Sequence, residues 1–225
     1  METYVQDCSG GSLIYFFLIF QSVYNGPVQY FARIAKENRV VIEQFDHYLK
    51  QTYRNRCRIA GANGPLDLSF PVVNEHGAKT LVKDVRIDNS IPWQKIHLRS
   101  IHAAYASAPF FEYIIDDFIH YYEKQIAFLI DLNHGLLEST LSVLGINPEI
   151  SYTDSFVPVD ENGADPRNFI HPKKDIMKFD PDFKPVPYNQ VFIDRHGFIP
   201  NLSIIDLLFN EGLNARSILD RSLVY

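Results

Sequence analysis

Hydrophobic and polar positions along the first part of the chain predict a strand, a helix and a second strand. Residues 13–20 are apolar and rich in aromatic and β-branched side chains, and Gln21 and Ser22 end this run, as in a short buried strand. A helix is expected after Pro27, and residues 39–43 predict the second buried strand. This order favours a parallel pair with a ligand near the carboxyl ends of its strands. We therefore expect an α/β fold with a Rossmann-like strand-helix-strand start.

The pattern then changes from a period of two residues to a helical period. Residues 66–72 alternate between apolar and polar positions and are expected to pair with residues 82–87 as a hairpin, which makes the sheet mixed. From Pro92 the apolar residues recur at helical spacing, first towards Pro109 and then through a longer region that Gly145 ends as a C-cap. The middle of the chain is therefore predicted to be helical.

The last third of the chain contains a Pro-rich segment and then a helix. Residues 151–187 mix proline with aspartate and lysine without a sustained period, which predicts an irregular, extended segment on the surface. A capped helix is expected within residues 198–212. We expect a single domain over residues 1–225. Its α/β part, helical part, irregular Pro-rich segment and C-terminal helical part are expected over residues 13–90, 91–147, 148–190 and 191–225.

Composition and charge argue against several functional classes for this chain. The chain carries a formal net charge of -6, and 46% of its residues are hydrophobic, as in an ordered globular protein. An acidic chain with one basic cluster is not expected to be a general nucleic-acid binder. Residues 13–20 are too few to span a bilayer, which takes about 20 residues, and Glu2 and Asp7 are unlike the basic start of a signal peptide. We expect a cytoplasmic protein without a transmembrane segment.

The sequence contains no residue spacing typical of a metal or cofactor site. It has no HExxH or CxxC motif and no GxxxxGK[ST] or GxGxxG loop. Its two cysteines, Cys8 and Cys57, lie far apart, which favours a reducing compartment over a disulfide framework. Arginines flank Cys57 and favour a thiolate, but inert packing is the commoner role of a cysteine in a strand. We expect neither a metal nor a cofactor.

A basic and aromatic stretch over residues 43–64 has the composition of a ligand site. Cations bind phosphate and carboxylate groups, and aromatic rings stack on a base or a sugar. The candidate substrate-binding residues in this stretch are Lys50, Tyr53, Arg54, Asn55 and Arg56. In an extended segment, the alternate arginines from Arg54 to Arg58 project from one face. The structural alternative is a solvated strand face whose cations pair with Asp46, Asp67 and Asp84.

Two further groups of residues are candidates for acid/base chemistry. Trp93 and His97 lie four residues apart, on one face of the predicted helix, where the histidine can act as a general base. An Asp-His pair at the end of the second strand offers another acid or base. The structural alternative for Trp93 and His97 is a core anchor beside a hydrogen-bonded, partly buried histidine. The candidate catalytic residues are His97, Asp46 and His47, and Tyr24, Gln29 and Trp93 complete the candidate binding set.

Several long segments carry a family pattern. They are GPVQYF (26–31), YLKQTYRNRCRIAGANGP (48–65), PVV (71–73), VKDVRID (82–88), AYASAPFFEYIIDDF (104–118) and FIPNLSIIDLLFNEG (198–212), together with the spaced Trp93 and His97. In these segments the chain resembles the WbqC-like protein family, and the resemblance covers nearly the whole chain. It supplies no catalytic residue.

The resemblance implies a function in bacterial O-antigen or other surface-polysaccharide biosynthesis. It implies a glycine or other aminoacyl transferase that acts on an amino sugar. We therefore expect an acyl- or aminoacyl-transferase that uses a nucleotide-linked amino sugar, with the diphosphate held by Lys50, Arg54 and Arg56. The acyl donor stays open between an activated amino acid, a carrier thioester and aminoacyl-tRNA. The alternative is a non-catalytic sugar-nucleotide-binding or assembly protein of the same pathway.

Overall fold

The computed structural model describes residues 2–6, 12–16, 18–73, 79–159 and 165–224. Within these ranges the strands are β1 (Glu2–Gln6), β2 (Ser12–Phe16), β3 (Ile19–Gln21), β4 (Arg39–Glu43), β5 (Arg56–Gly61), β6 (Gly64–Ser69) and β7 (Glu149–Tyr152). β1 pairs antiparallel with β2, and β5 pairs antiparallel with β6. A parallel sheet has the strand order β3-β4-β7.

Helices make up most of the remaining regular structure. They are α1 (Val28–Ile34), α2 (Trp93–Tyr105), α3 (Phe111–Ile114), α4 (Asp116–Glu123), α5 (Leu129–Leu144), α6 (Pro166–Phe169), α7 (Ile176–Phe179), α8 (Ile193–His196), α9 (Ile204–Glu211) and α10 (Ala215–Arg221), with 3₁₀ turns at Val82–Asp84 and Gly212–Asn214. In the described ranges, no helix combines the length and the apolar character that crossing a membrane requires. The fold class is α/β, as expected.

The predicted strand-helix-strand unit is confirmed as β3, α1 and β4. β3 and β4 are parallel, and every residue of α1 is buried. The chain turns sharply from β3 into α1 at Asn25, whose φ is 41°, and at Gly26. A Cβ atom on Gly26 would lie 2.6 Å from the Val23 side chain, so this close turn requires glycine. A wider Rossmann-like relationship stays a prediction.

The apolar run over residues 13–20 is divided between two strands, which corrects the prediction of one strand. β2 contains its first part and pairs antiparallel with β1, whereas β3 contains its end and pairs parallel with β4. The expected mixed sheet is also wrong for the described strands, because their parallel and antiparallel pairings lie in separate sheets. Apolarity identified the strands but contained no information about their partners.

The hairpin over residues 66–72 and 82–87 is wrong as predicted. β6 instead pairs with β5, the strand immediately before it, through the turn at Ala62 and Asn63. Gly64 has a φ of 112° and closes this turn. Residues 82–84 form a 3₁₀ turn, and the expected pairing is reduced to an isolated bridge between Val72 and Ile87. A short local connection was favoured over a more distant pairing.

The helical middle of the chain is confirmed. α2 begins at Trp93, and the longer helical region consists of α3, α4 and α5. Gly145 has a φ of 65° and ends α5 as a left-handed C-cap, with its N–H donating to the Ser142 carbonyl at 3.1 Å. α9 also ends where expected, at Gly212.

The Pro-rich segment over 151–187 is more ordered than predicted. It contains the end of β7 together with α6 and α7. Phe169, Ile170 and Phe183 are buried in the main hydrophobic cluster, and the Asp180 side chain is buried as well. The segment therefore covers the body of the protein, and the expectation of an irregular surface segment is corrected. Proline removes regular periodicity but does not prevent apolar side chains from packing.

Buried side chains from all four predicted parts of the chain form one hydrophobic cluster. Phe20, Tyr105, Phe183 and Leu208 are examples from the four predicted parts. Phe70 stacks on Trp93 with ring centroids 4.6 Å apart in the same cluster. The division into parts of a single domain stays a prediction.

A buried carboxylate lies within this core. Asp206 on α9 has an exposed fraction of 0%. It accepts hydrogen bonds from the Tyr105 hydroxyl at 2.8 Å, the Tyr188 hydroxyl at 2.7 Å and Gln190 Nε2 at 3.2 Å. Burial raises the pKa of Asp206 to about 6, although these hydrogen bonds oppose the shift.

Asp206 is expected to make stability depend on pH. A carboxylic acid with a pKa raised on folding stabilises the fold fully below the unfolded pKa and loses that contribution as pH rises through the folded pKa. Between pH 4 and pH 7 the free energy of unfolding of the wild type should therefore fall relative to Asp206→Asn, by up to about 3 kcal/mol. Urea denaturation across this pH range measures the difference.

The control for this prediction is Asp194→Asn, because Asp194 is exposed on α8. This variant makes the same change of charge at an exposed position and so measures the effect of net charge alone. A flat pH profile for the Asp206→Asn difference would contradict the assignment of a raised pKa to this carboxylate.

Candidate functional site

Polar residues collect at the carboxyl edge of the parallel sheet. Glu43 ends β4, and its side chain is almost completely buried. It accepts hydrogen bonds from the Phe45 N–H at 2.7 Å, the Thr153 hydroxyl at 3.0 Å and the Val157 N–H at 2.9 Å. Arg167 Nη1 lies 3.6 Å from the same carboxylate. The buried charge of Glu43 is thus compensated by donors from three later parts of the chain.

Residues 165–183, here called the strap, are anchored at this edge by Arg167. Its guanidinium contacts Asp165 at 2.6 Å, and it donates to the Val157 carbonyl at 2.8 Å. The side chains of Arg167, Asp165 and Glu43 are each at most 4% exposed. Removal of one member would leave a buried charge unpaired, so these contacts fix the start of the strap.

A second anchor fixes the far end of the strap on α1. Asp180 is 1% exposed and accepts a hydrogen bond from Gln29 Nε2 at 2.8 Å. Arg33 forms an ion pair with Asp180 and places its guanidinium 5.2 Å from the centre of the Phe169 ring. Gln29, a predicted binding residue, is therefore 1% exposed and holds the strap.

The basic turn before β5 lies close to the strap. Arg54 is 4% exposed and forms an ion pair with Asp46. Burial lowers the pKa of Arg54, and the Asp46 charge opposes this shift. Asn133 Nδ2 on α5 donates to the Arg54 carbonyl at 2.9 Å. In the described part of the chain, the buried Arg54 Nε has no hydrogen-bond partner.

An open groove of about 340 Å³ lies between this turn, β5 and the strap, and we call it the strap groove. Its lining residues are Tyr53, Arg58, His171, Pro172, Lys174, Asp175, Ile176, Pro200 and Asn201. Arg58 and Lys174 contribute cationic groups. Arg58 forms a two-point ion pair with Asp67, at 2.7 and 3.1 Å, and this pair is exposed enough for a ligand to compete with it.

His171 and Tyr53 add neutral donors to the lining of the strap groove, which also contains Asp175 and Asn201. The His171 pKa is lowered by burial and by Lys174, Lys173 and Arg54, so the ring is neutral near pH 7. Its Nδ1 accepts a hydrogen bond from the Lys173 N–H at 3.1 Å, which leaves the ring proton on Nε2. Burial raises the pKa of Tyr53 to about 12, so its hydroxyl stays protonated. Cations and neutral donors together suit an anion with several oxygens.

The basic cluster does not share one face, which corrects the sequence prediction. Arg54 lies in the turn before β5 and points inward to Asp46, whereas Arg58 lies in β5 and pairs with Asp67. The pairing with Asp46 and Asp67 is what the structural alternative predicted. The shared face fails because alternation applies only inside the strand, which begins at Arg56.

The other members of the predicted binding set have separate surroundings. Tyr53 lines the strap groove, and Lys50 is exposed. Asn55 Nδ2 donates to the Phe70 carbonyl at 2.6 Å and so fixes the chain after β6. Arg56 is half-buried at the start of β5. The assignment of a binding role to these residues stays a prediction.

Trp93, His97 and Tyr24 are buried, and Trp93 and His97 also belong to the lining of an open groove of about 330 Å³. Each is at most 2% exposed. The Tyr24 hydroxyl lies 2.8 Å from His97 Nδ1 and 3.1 Å from the Tyr122 hydroxyl. Burial lowers the pKa of His97 to about 4, against a hydrogen bond to the Ser69 backbone. These contacts match the structural alternative of a core tryptophan beside a hydrogen-bonded histidine.

The second acid/base pair is also divided. Asp46 is held by Arg54, and His47 is exposed with a backbone bridge to Leu81. Among the described residues, no hydrogen bond or ion pair joins His97 to either of them. Cys57 is 2% exposed, and burial raises the pKa of its thiol, so the side chain serves in packing.

Sequence reasoning missed the contribution of the strap. His171, Lys174 and Asp175 belong to the stretch HPKKD, whose histidine and lysines were an available signal. The stretch was assigned to an irregular surface segment, so its approach to Tyr53 and Arg58 was not foreseen. In the described ranges, no group of three or more His, Cys, Asp or Glu residues has the geometry of a metal site.

Comparison with known proteins identifies the family. A sequence model of the WbqC-like protein family matches residues 21–171, about two thirds of the chain. The chain belongs to the WbqC-like protein family. The uncharacterized protein Rv1507c of Mycobacterium tuberculosis is similar to it, with 28% identity over 222 residues that cover 88% of this chain and 94% of the relative. No solved structure matches the chain.

The matched region of this WbqC-like protein contains most of the carboxyl-edge site. It begins at the end of β3 and reaches His171, so it includes Glu43, Arg54 and Arg167. Lys174 and the other later residues of the strap groove follow the matched region. The anchors of the strap near its start thus lie inside the family pattern.

The two ion pairs of the basic stretch are expected to differ in their effect on stability. Arg54→Ala removes a buried partner of Asp46 and should lower the free energy of unfolding by about 3 kcal/mol. Arg58→Ala breaks an exposed pair and should lower it by less than about 1 kcal/mol. Urea denaturation of both variants measures the contrast. Equal losses would contradict the structural role assigned to Arg54.

Proposed function

We propose that this WbqC-like protein is a cytoplasmic acyl- or aminoacyl-transferase that acts on a nucleotide-linked amino sugar in bacterial surface-polysaccharide biosynthesis. The strap groove would hold the diphosphate of this substrate. The observation that carries the proposal is the set of donors around the groove, in which Arg58 and Lys174 supply cations and Tyr53 and His171 supply neutral donors.

A sugar diphosphate matches these groups in charge and in hydrogen bonding. Its oxygens accept hydrogen bonds and carry negative charge, and Arg binds such oxygens at two points whereas Lys acts as a point charge. The ring of Tyr53 offers an apolar face beside them. This arrangement supports the strap groove, rather than Arg54 and Arg56 alone, as the diphosphate site.

Acyl transfer to the sugar also requires a proton acceptor. The amine nitrogen attacks the acyl carbonyl carbon, the N–C bond forms, the bond to the donor's leaving group breaks, and the amine loses a proton. Asp175 is the carboxylate among the described residues that line the strap groove. We assign the proton to Asp175 instead of His97, because His97 is buried in the core and has a pKa of about 4.

A second candidate function is non-catalytic binding of the same sugar nucleotide. His97 is 2% exposed and lies within hydrogen-bond distance of the Tyr24 hydroxyl, and Asp46 is paired with Arg54, which favours this function. Binding and turnover therefore have to be measured separately.

Lys174→Gln is expected to weaken nucleotide-sugar binding. Calorimetric titration with UDP-linked and dTDP-linked amino sugars should give a Kd at least about tenfold higher than for the wild type, because a charge-assisted contact is lost. The matched control is Lys95→Gln, a change at an exposed lysine of α2. Equal affinities of both variants, with folding confirmed by melting, would contradict binding in the strap groove.

Asp175→Asn separates the two candidate functions. Asn can still cap α7, where the Asp175 carboxylate accepts from the Lys178 N–H at 3.0 Å, so the fold and substrate binding should be kept. With each class of acyl donor supplied in turn, mass spectrometry should show acylated sugar nucleotide from the wild type and at least about 100-fold slower formation from the variant. The control is Asp116→Asn on α4.

Binding without turnover, for any donor class, would support the non-catalytic function and overturn the transferase. Turnover that Asp175→Asn leaves unchanged would instead exclude Asp175 as the proton acceptor.

A further inference from the structure

A second and larger groove lies on another part of the molecule. It has a volume of about 780 Å³ and lies between α5, the loop over residues 145–148 and β7. We call it the α5–β7 groove. Its described lining residues are His134, Glu138, Leu141, Ser142, Gly145, Ile146, Asn147, Pro148, Ile150 and Tyr152, and none of them lines the strap groove.

A hydrogen-bonded row of side chains lies in this groove. The Tyr152 hydroxyl is 2.6 Å from His134 Nδ1, and His134 Nε2 is 3.3 Å from the Glu138 carboxylate. His134 and Glu138 are four residues apart on α5 and so share one face of the helix. Because a carboxylate only accepts, this order favours a proton on Nε2 and leaves Nδ1 to accept the tyrosine proton.

The ends of this row are open to a ligand. The Glu138 side chain is 60% exposed, and its second carboxylate oxygen is free to accept further hydrogen bonds. The Tyr152 hydroxyl stays protonated because burial raises its pKa, and its oxygen can accept while its proton is held by His134. A ligand therefore meets two acceptors on one side of the groove.

Two other polar side chains of the groove do not contribute hydrogen bonds to the described part of the fold. Ser142 and Asn147 are exposed, and their side chains form no hydrogen bond with another described residue. An amide both donates and accepts, and so does a hydroxyl. Leu141, Pro148 and Ile150 supply apolar surface beside them. The lining thus combines apolar side chains with groups that can donate or accept hydrogen bonds.

The charge of the lining separates this groove from the strap groove. No lysine or arginine is present among its described lining residues, and Glu138 makes it unfavourable for a phosphate. A sugar ring has adjacent hydroxyls for the carboxylate and amide, and a C–H face for the apolar side chains. We infer that the α5–β7 groove binds an uncharged saccharide. This inference does not rest on the proposed function.

The test is a titration of the full chain with uncharged sugars, in which two-dimensional NMR monitors the backbone amide signals. Glucose, galactose and N-acetylglucosamine are the probes, and inorganic pyrophosphate is the anionic comparison. At least one sugar is expected to shift the amide signals of residues 134–152, and pyrophosphate is expected to leave them unchanged. Glu138→Gln should raise the Kd for that sugar about tenfold.

Two further variants make the result specific. Glu112→Gln makes the same change of charge at an exposed residue of α3, and it should leave the affinity for the sugar unchanged. Tyr152→Phe keeps the ring and removes the hydroxyl, so it should weaken binding of the sugar, as Glu138→Gln does. Neither change removes a large buried side chain.

Three results would overturn the inference: shifts in this groove with pyrophosphate instead of sugar, an affinity for sugar that Glu138→Gln does not change, or no shift with any of the sugars. The two grooves share no lining residue, so such a result would not bear on the strap groove. The effect of Lys174→Gln tests sugar-nucleotide binding there independently.

Discussion

Two buried ionic anchors hold the strap against the rest of the protein, and the geometry of the candidate site depends on them. At one end, the Arg167 guanidinium compensates the negative charges of Glu43 and Asp165. At the other end, Asp180 accepts a hydrogen bond from Gln29 and forms an ion pair with Arg33. Ionised groups with almost no exposure are unfavourable unless they are paired and hydrogen-bonded, so each anchor favours the docked position of the strap. The segment between them is thereby placed over the carboxyl edge of the parallel sheet, where it meets the basic turn and β5.

A backbone junction at residues 201–204 supports the same region from the other side. The Ser203 N–H donates to the Arg58 carbonyl at 2.7 Å, and its hydroxyl donates to the Asn25 carbonyl at 2.7 Å. The Asn201 side chain accepts from the Gln29 N–H at 2.8 Å at the start of α1. This junction joins β5, the sharp turn after β3 and the start of α9. The C-terminal helices are therefore part of the frame of the site, although they lie more than 100 residues away in the sequence.

Local pattern predicted the elements whose form depends on nearby residues. The β3-α1-β4 unit and the helix α2 followed from apolar periodicity, and the C-cap at Gly145 followed from the chemistry of glycine. The partners of β2 and β6 and the side-chain surroundings did not. Arg54 could bind a ligand or pair with Asp46, and the tertiary structure decides between the two. The sequence composition is the same in either case, so it could not predict the outcome. His171 and Lys174 were missed for the same reason. Their Pro-rich segment has no regular periodicity in the sequence, and only tertiary contacts order it.

We propose the strap groove as the site of a phosphorylated ligand, and a crystal structure of the protein with a bound UDP-linked amino sugar is the decisive measurement. Electron density for the diphosphate is expected between Arg58 and Lys174, with the Tyr53 hydroxyl within hydrogen-bond distance. Density for the diphosphate in the α5–β7 groove, or beside Trp93 and His97, would contradict it.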